Sequence, residues 1–318
     1  NRRSHLFLLI MKGWFNKIFL FTIPILLYVF AFEWYCRHQT FFAIKKEYAL
    51  SNMSTFEVAF TGTSHIEKGI WVDANHPQYL NWAAPGQSYP LEFQLWKKYV
   101  TQMPQLKSVV IEFSPVRLFL SPGPDDWAAN VYWIHYDIPY KVNVYNPRRS
   151  FHVLQDYGFF KQVVHAGWNP FAEKQRIEST GFAPSDFKDR FWQCQYDTAM
   201  IRSTFRMKYD FKLSKDLLDE NVSYLDSIVE IMKAHGVRPI LVLPPFYKTF
   251  ESAIPAQVKL YSEKVLQTLK GKYELTVWDF EQTENFEVKD FYNDNHLNPD
   301  GAQKWFSMLA DSINRIEH

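Results

Sequence analysis

The predicted fold is decided by one stretch, Glu57-Val58-Ala59-Phe60-Thr61-Gly62-Thr63-Ser64-His65, in which a short apolar run passes directly into a glycine turn. Continuous apolar runs of this length are typical of parallel strands that are buried on both faces of a sheet. The sequence therefore predicts a first strand over 57–61. Four similar runs follow and predict further strands, over 79–84, 108–113, 238–243 and 275–279.

Helix-like segments separate these runs. The last of them runs from Pro299 to Ile313, with Asn298 as N-cap and proline in the first turn. The clearest covers 215–235, where apolar residues recur at helical spacing and Gly236 follows as a stop signal. Strands that alternate with helices predict an α/β fold, a wound and mostly parallel sheet with helices on both faces and ligands at the carboxyl ends of the strands.

A charge-free apolar segment over 18–32 precedes this region. As a helix it would cover roughly 22 Å, and about 33 Å when extended over 14–35 to include tryptophan at both ends. No small-x-small cleavage pattern follows, so an uncleaved membrane anchor is favoured over a signal peptide. A slight excess of basic residues before the span favours a cytoplasmic N-terminus. We therefore expect a single-pass protein of the cell membrane whose main domain is periplasmic or extracellular.

The predicted organisation has four parts. A cytoplasmic N-terminus covers 1–13, a transmembrane helix 14–35, a stalk 36–53 and the α/β domain 54–318. Within this domain, 114–210 interrupts the alternation with many aromatic residues and prolines, and reads as a large insertion. Two interpretations stay open and are compatible: the insertion shapes a substrate groove, or it forms a helical subdomain with its own aromatic core.

The composition argues against several function classes. With 35 basic and 34 acidic residues and a net charge of +1, the chain lacks the basic excess typical of nucleic-acid binding. Cys36 and Cys194 have neither zinc-ligand spacing nor the number that a disulfide framework needs, and whether they pair with each other stays open. No paired histidines stand at metal-ligand spacing, so we predict no metal and no cofactor.

Two sequence motifs together predict a serine active site. Ser64 follows the first strand at a tight turn, although a lone serine in this place is more often a helix N-cap. Near the other end of the chain, His296 directly precedes the capped last helix, with Asp294 two residues before it. A serine hydroxyl needs a histidine base, which a further group orients. We expect His296 to be this base and Asp294 or a neighbour to orient it.

These motifs resemble the SGNH, or GDSL-type, hydrolase family over roughly residues 55 to 315. The matching blocks are GTSHIEKGI with Ser64, NWAAPGQS with Gly86, LVLPPF from Leu241, and FYNDNHLNPDGA with His296. The resemblance implies that Ser64 is the nucleophile and that the N–H groups of Ser64 and Gly86 bind the oxyanion.

Two positions depart from the family pattern. The family's commoner spacing is D-x-x-H, but position 293 is Asn293, so Asp294 is assigned as the triad acid with Asp290 in reserve. The family's asparagine that donates to the oxyanion has no counterpart, and Ser114 stands in its place as a substitute donor.

An anchor joined to such a domain resembles, more narrowly, the extracytoplasmic acyl-transfer proteins that partner membrane-bound O-acyltransferases. Examples are the D-alanine transfer proteins of teichoic acid and the alginate acetyltransferases. This likeness implies an acetyl- or D-alanyl-type group that is loaded on Ser64 and passed to a cell-envelope polysaccharide or glycopolymer. Two other functions stay open: a carbohydrate esterase or deacetylase of the same fold, and a catalytically lapsed adaptor or glycan-binding subunit.

Four residues are candidates for substrate binding. His65 follows the nucleophile, and its side chain is expected to point away from that of Ser64, so it contacts substrate or packs. The other three lie in the insertion, where packing in an aromatic core is the competing interpretation. They are Trp127, Trp133 and His135.

Overall fold

The computed structural model describes residues 2–73, 75–120, 127–141, 144–146, 149–155, 177–184, 191, 215–281 and 284–317. Much of the predicted insertion over 114–210, including Cys194, lies outside these residues.

Five parallel strands form the central sheet, in the order β2-β1-β3-β4-β5. All five predicted strands are confirmed, although β2 is three residues long where the sequence predicts six. The pairing with β1 continues beyond β2 through two backbone hydrogen bonds. The Trp82 N–H donates to the Phe60 carbonyl, and the Ala84 N–H donates to the Gly62 carbonyl. The strand bounds are Val58–Thr61 (β1), Tyr79–Asn81 (β2), Ser108–Glu112 (β3), Arg238–Leu243 (β4) and Thr276–Asp279 (β5).

The strand order reverses at β1, which pairs with β2 on one side and with β3 on the other. In wound parallel sheets, such a reversal opens a crevice at the carboxyl ends of the adjacent strands. The turn after β1 and the end of β3 therefore lie where a ligand site is expected.

Helices cover both faces of the sheet, as the sequence predicts. On one face, α4 (Tyr89–Tyr99), α7 (Lys215–Ala234) and α9 (Ala256–Tyr273) pack against Ala59, Val109 and Leu241. On the other face lie α3 (Ser64–Gly69) and α10 (Pro299–Glu317). The apolar stripe of α10, with Trp305, Leu309 and Ile313, is fully buried. Each such side chain contributes about 1.5–3 kcal/mol of hydrophobic stabilisation.

The first helix, α1 (Arg2–His38), contains a segment, Lys17–His38, that is long and apolar enough to cross a membrane, with a mean hydropathy of 1.8. The next helix, α2 (Phe41–Ser51), lies where the sequence predicts a stalk, but Phe42, Lys45 and Ala49 on it are buried. This segment therefore packs against the domain instead of standing free in solvent.

Several short elements complete the described part of the chain. The β6–β7 pair is antiparallel and was not predicted, because two or three residues are too few to give a periodic pattern. The remaining bounds are Trp127–Tyr136 (α5), His152–Gln155 (α6), Lys248–Ala253 (α8), Phe291–Asn293 (β6) and His296–Leu297 (β7).

Candidate active site

The turn after β1 places Ser64 at the carboxyl edge of the sheet. Thr63 caps α3, and Ser64 is the first residue of that helix. Gly62 has a φ of 155°, and a Cβ added there would lie 2.5 Å from the Glu112 Oε2 atom. The turn can therefore approach β3 this closely only because residue 62 has no side chain.

The loop before α10 brings His296 to the same edge. Its Nε2 atom lies 2.8 Å from the Ser64 Oγ atom, although 232 residues separate the two in sequence. This is hydrogen-bond distance for a serine hydroxyl that donates its proton to an imidazole. The predicted meeting of Ser64 and His296 is thus present in the structure.

One group that orients the imidazole is Asn293. Its Oδ1 atom accepts from His296 Nδ1 at 3.1 Å and from the backbone N–H groups of Asn295 at 3.0 Å and His296 at 2.8 Å. One amide oxygen therefore holds both the turn and the ring. With the proton on Nδ1, the Nε2 atom is left as an acceptor for the Ser64 hydroxyl.

Two aspartates, Asp290 and Asp294, were considered for the triad. Asp290 accepts from the Lys304 ammonium at 2.9 Å and from the Glu287 N–H at 2.9 Å, so its carboxylate holds a helical turn and an ion pair. Asp294 is fully buried, and its backbone carbonyl accepts from the Tyr247 N–H. The acceptor on His296 Nδ1 described here is Asn293, at the D-x-x-H position, and the catalytic role of Asp294 stays a prediction.

Glu112, the last residue of β3, binds the turn Gly62-Thr63-Ser64, called the nucleophile turn after the role predicted for Ser64. Its buried carboxylate accepts from the Thr63 N–H at 2.5 Å and from the Thr63 hydroxyl at 2.8 Å. It also accepts from His65 Nδ1 at 2.9 Å and from the Ser114 hydroxyl at 3.0 Å. Both residues that flank Ser64 are therefore fixed by a single carboxylate.

The charge on Glu112 is favoured by its neighbours. Burial alone would raise the pKa of its carboxyl. His65, the nearby Arg117 and the hydrogen bond from Thr63 lower it by more than burial raises it, so that the pKa is about 2. Arg117 is itself buried, forms an ion pair with Glu92 and donates to the Glu112 carbonyl. Glu112, Arg117 and Glu92 thus form a buried network of charged side chains in which hydrogen bonds stabilise the charges.

Ser114 takes part in this network. Its hydroxyl donates to Glu112 and accepts from the Arg117 N–H at 3.3 Å, and the residue is fully buried. A hydroxyl has a single proton, and here that proton is donated to Glu112. The predicted role of Ser114 as an oxyanion donor is therefore not supported, because its proton holds the carboxylate under the nucleophile turn.

Gly86 lies in the segment that follows β2 beside the nucleophile turn. Its φ is +70°, in the left-handed region that favours glycine. Ala84, two residues before it, donates its N–H to the Gly62 carbonyl at 3.1 Å. A Cβ added at Gly86 would contact the side chain of Ala128 at 3.4 Å. The segment that carries Gly86 is thus tied to the turn of Ser64, and the oxyanion role of Gly86 stays a prediction.

His65 lies inside the site. Its ring is buried, with its centroid 5.4 Å from that of His296, and Phe246 packs edge-on against it at 5.0 Å. The Asn295 side-chain N–H group lies 3.4 Å from His65 Nε2. The two imidazoles are therefore neighbours, while Glu112 holds the Nδ1 side of His65. Its predicted contact with substrate stays a prediction.

The three candidates on α5 pack towards α2 and α6. Trp127 packs edge-on against Phe42, His135 stacks on the same ring, and Trp133 donates to the Ser150 hydroxyl at 3.4 Å. Burial and the nearby positive groups lower the pKa of His135 to about 3. Trp127 is the one of the three that precedes Ala128, whose side chain lies beside Gly86. Their binding of substrate stays a prediction.

Two residues of the site were missed by sequence reasoning, Glu112 and Asn293. The signal for Glu112 was a carboxylate that ends a predicted buried strand, where an unpaired charge would be costly. The signal for Asn293 was its place three residues before His296. The partners of Glu112 are distant in sequence, whereas those of Asn293 are brought to it by a tight turn.

No protein-family model and no curated protein matches the chain. Among solved structures, the chain is similar to a candidate acylhydrolase from Bacteroides fragilis, with 12% identity and a TM-score of 0.43 over 86% of this chain and 97% of that one. It is also similar to a GDSL-like lipase from Bacteroides thetaiotaomicron, with 11% identity and a TM-score of 0.42 over 86% and 99% of the two chains. At these identities and TM-scores the likeness carries no conclusion about activity.

Proposed function

We propose that the protein is a membrane-anchored serine acyltransferase that moves an acyl group through an acyl-serine at Ser64 to a hydroxyl of a cell-envelope polysaccharide or glycopolymer. The observation that carries the proposal is the 2.8 Å contact between Ser64 Oγ and His296 Nε2. It brings a serine hydroxyl and an imidazole together at the carboxyl edge of a parallel sheet, as a nucleophile and its base require.

In the first half-reaction, Ser64 Oγ attacks the acyl carbonyl carbon while His296 Nε2 takes the hydroxyl proton. The carbonyl electron pair moves to the oxygen and forms a tetrahedral oxyanion. As this intermediate collapses, the bond to the leaving group breaks, and His296 returns the proton to that group. The products are the acyl-Ser64 ester and the protonated leaving group, and Asn293 holds the ring in place throughout.

In the second half-reaction, an acceptor hydroxyl gives its proton to His296 and attacks the ester carbonyl of acyl-Ser64. The bond to Ser64 Oγ then breaks, and the proton passes from His296 to Ser64. A sugar hydroxyl gives transfer, whereas water gives hydrolysis. The same residues serve both outcomes, so the acceptor decides between a transferase and an esterase.

The N–H groups of Ser64 and Gly86 are the proposed oxyanion donors. Ser64 is the first residue of α3, so its N–H group has no acceptor within the helix. The bond between Ala84 and Gly62 joins the two loops that carry these donors. Removal of one oxyanion donor typically lowers kcat by roughly 10²–10³.

The proposed acyl donor system is a multi-pass membrane-bound O-acyltransferase, with an acetyl- or D-alanyl-type group as cargo. Support comes from the apolar helix over Lys17–His38, which is suited to hold the domain at a membrane, and from the sequence resemblance described above. The domain would lie on the periplasmic or extracellular side, where envelope polymers are found.

The test is product analysis by mass spectrometry with an activated acyl ester as donor, with and without a soluble polysaccharide. We expect acylated polysaccharide that forms at the expense of free acid, and neither product above background from the Ser64→Ala variant. Free acid at a rate that the acceptor leaves unchanged would favour the carbohydrate esterase or deacetylase. No turnover from the wild-type protein, with full function of Ser64→Ala in cells, would favour the non-catalytic adaptor.

A further inference from the structure

Exposed large apolar side chains are concentrated in one part of the chain. Among the described residues outside α1, five such side chains are exposed, and four of them fall between positions 127 and 154. Apolar side chains that group together in this way mark a contact surface more often than scattered ones do. The four are Trp127, Tyr145, Phe151 and Leu154, and the fifth is Leu260 on α9.

This group lies beside the end of the apolar helix. Arg37 of α1 donates to the Ser150 carbonyl at 2.5 Å, and its guanidinium carbon lies 5.9 Å from the centroid of the Phe151 ring. Trp127 packs on Phe42 of α2, directly after α1. Trp127, Phe151 and helix α6, which carries Leu154, are therefore next to the point where α1 joins the domain.

The contact with the domain extends into the apolar part of α1. Phe32 and Cys36 are buried, whereas Phe30 and Trp34 are exposed. Phe32 lies six residues before His38, which is about 9 Å along a helix. If Lys17–His38 spans a bilayer, the parts of the domain that cover Phe32 lie at the depth of the lipid headgroups.

Basic side chains border the same surface, and one of them, Arg37, also pairs with Glu33 at 2.8 Å. Arg37, His38 and Lys46 all lie close enough to His135 to help lower its pKa. Aromatic side chains flanked by basic ones are typical of protein surfaces that rest among lipid headgroups and phosphates.

We infer that an interfacial face, formed by Trp34, Trp127, Tyr145, Phe151 and Leu154, rests in the surface of the same bilayer that α1 crosses. The occupant of this face is the lipid interface on the side of the domain. The inference rests on the membrane anchoring that is part of the proposed function.

The interfacial face adjoins the candidate active site. Ala128, which follows Trp127, lies so close to Gly86 that a Cβ added there would be 3.4 Å from its side chain, and Gly86 is on the segment tied to the turn of Ser64. The predicted oxyanion loop therefore lies against the membrane-facing helix α5. This deepens the proposed function, because it identifies the acyl donor as a molecule held at the membrane surface and not one free in solution.

The test uses the full chain in lipid nanodiscs, with Cys36 and Cys194 replaced by alanine and one cysteine introduced per variant. An environment-sensitive fluorophore is attached at position 151 or 154, at position 26 within the apolar helix, or at position 260 as a matched exposed leucine. Quenching by lipids that carry a nitroxide near the headgroup or along the acyl chain reports contact with the bilayer. We expect quenching at positions 26, 151 and 154, and none at position 260.

The outcomes distinguish failure of the interfacial face from failure of the membrane anchoring by α1, on which it depends. Quenching at position 26, with positions 151 and 154 as unaffected as position 260, would overturn the interfacial face alone. No quenching at position 26 would overturn the anchoring as well.

A comparison of two activities tests whether the acyl donor is held at the membrane surface. The double variant Phe151→Ser, Leu154→Ser is expected to keep hydrolysis of a soluble ester within twofold and to lose at least fivefold in transfer from a donor embedded in the nanodisc. Leu260→Ser is the control and should change neither rate. A fall in both activities of the double variant, or in neither, would contradict a donor held at the membrane surface.

Discussion

Asn293 holds the candidate base through a neutral amide. Its amide oxygen fixes the ring and the tautomer of His296, which is what an aspartate does in a Ser-His-Asp triad. An amide, however, lacks the negative charge that stabilises the imidazolium formed during acyl transfer. Cysteine proteases with a Cys-His-Asn arrangement show that an asparagine suffices to orient a catalytic histidine.

Substitutions at Asn293 should separate orientation from charge. Asn293→Ala removes the acceptor from Nδ1 and from two backbone N–H groups, so we expect kcat to fall by roughly 100-fold or more. Asn293→Asp keeps the acceptor and adds a negative charge, which favours the protonated imidazole. Because the base must be neutral, the acid limb of the kcat/KM profile should move to higher pH.

The measurement is the pH dependence of ester hydrolysis by the wild type and both variants. An unchanged kcat for Asn293→Ala would show that the acceptor on Nδ1 has no part in catalysis. An acid limb for Asn293→Asp that stays in place or moves to lower pH would contradict the contact between residue 293 and the imidazole.

Glu112 should stabilise the fold in a pH-dependent manner. The pKa of its carboxyl is lowered from 4.5 to about 2, so the stabilisation is fully present above pH 4.5 and is lost as the pH falls towards 2. Glu112→Gln should therefore lower the free energy of unfolding by about 3 kcal/mol at pH 7. The difference from wild type should shrink between pH 4.5 and pH 2.

Denaturant unfolding in detergent at several pH values tests this, with the exposed Glu47→Gln on α2 as the control. Equal stabilities of wild type and Glu112→Gln at pH 7 would contradict the network under the nucleophile turn, as would a difference that does not depend on pH.

Individual residues of the site differ in how well the sequence predicts them. Ser64 and His296 could be found because each follows or precedes a recognisable element, a strand end or a capped helix. Glu112 could not be assigned its role, because its partners Thr63 and His65 reach it only through strand pairing. The oxyanion role predicted for Ser114 stays a prediction, and in the structure its hydroxyl donates to Glu112, two residues earlier.

Elements with continuous apolar runs or a helical period were predictable, and short ones were not. The five strands and the long helices α7 and α10 follow from patterns that have one physical interpretation. The β6–β7 pair holds His296 in place, yet its register is set by a turn around Asn293 and not by periodicity. A sequence can therefore place the parts of this site on the correct elements without giving the final contacts.

Helix α2 makes a contact with the site that its sequence does not reveal. Lys45 on this helix is buried and donates to the Ala83 carbonyl at 2.7 Å, three residues before Gly86. Burial lowers the pKa of its ammonium to about 8, against the opposing effect of Glu67 on α3. The two loops that supply the proposed oxyanion donors are thus both near one buried lysine.

Lys45→Met should loosen the loop that carries Gly86. Methionine keeps most of the apolar stem but leaves the Ala83 carbonyl without its donor, so we expect kcat for a soluble ester to fall about tenfold with KM little changed. This loss is smaller than the 10²–10³ for removal of an oxyanion donor, because the donor is displaced and not deleted. Steady-state kinetics measure it, with the neighbouring Lys46→Met as the control.

Equal kcat values for Lys45→Met and the wild type would show that α2 does not position this loop. A larger effect from Lys46→Met than from Lys45→Met would likewise contradict the role of the buried ammonium.

At the scale of the whole molecule, the apolar helix, α2 and the catalytic edge of the sheet are connected by packing. The sequence alone suggests an anchor, a free stalk and a separate domain. Apolar residues that face lipid and those that face protein look alike in a sequence, so the burial of Phe32 and Phe42 could not be predicted. The structure instead places the end of the apolar helix near α5, the helix that carries Ala128 beside Gly86.

The central claim is that Ser64 is a nucleophile activated by His296, and a fluorophosphonate probe tests it most directly. After the full-length protein reacts with the probe, peptide mass spectrometry identifies the modified residue. We expect a single adduct on Ser64, none in Ser64→Ala, and labelling at least 100-fold slower in His296→Ala. No adduct on the folded wild-type protein, or labelling of Ser64 at an undiminished rate in His296→Ala, would contradict it.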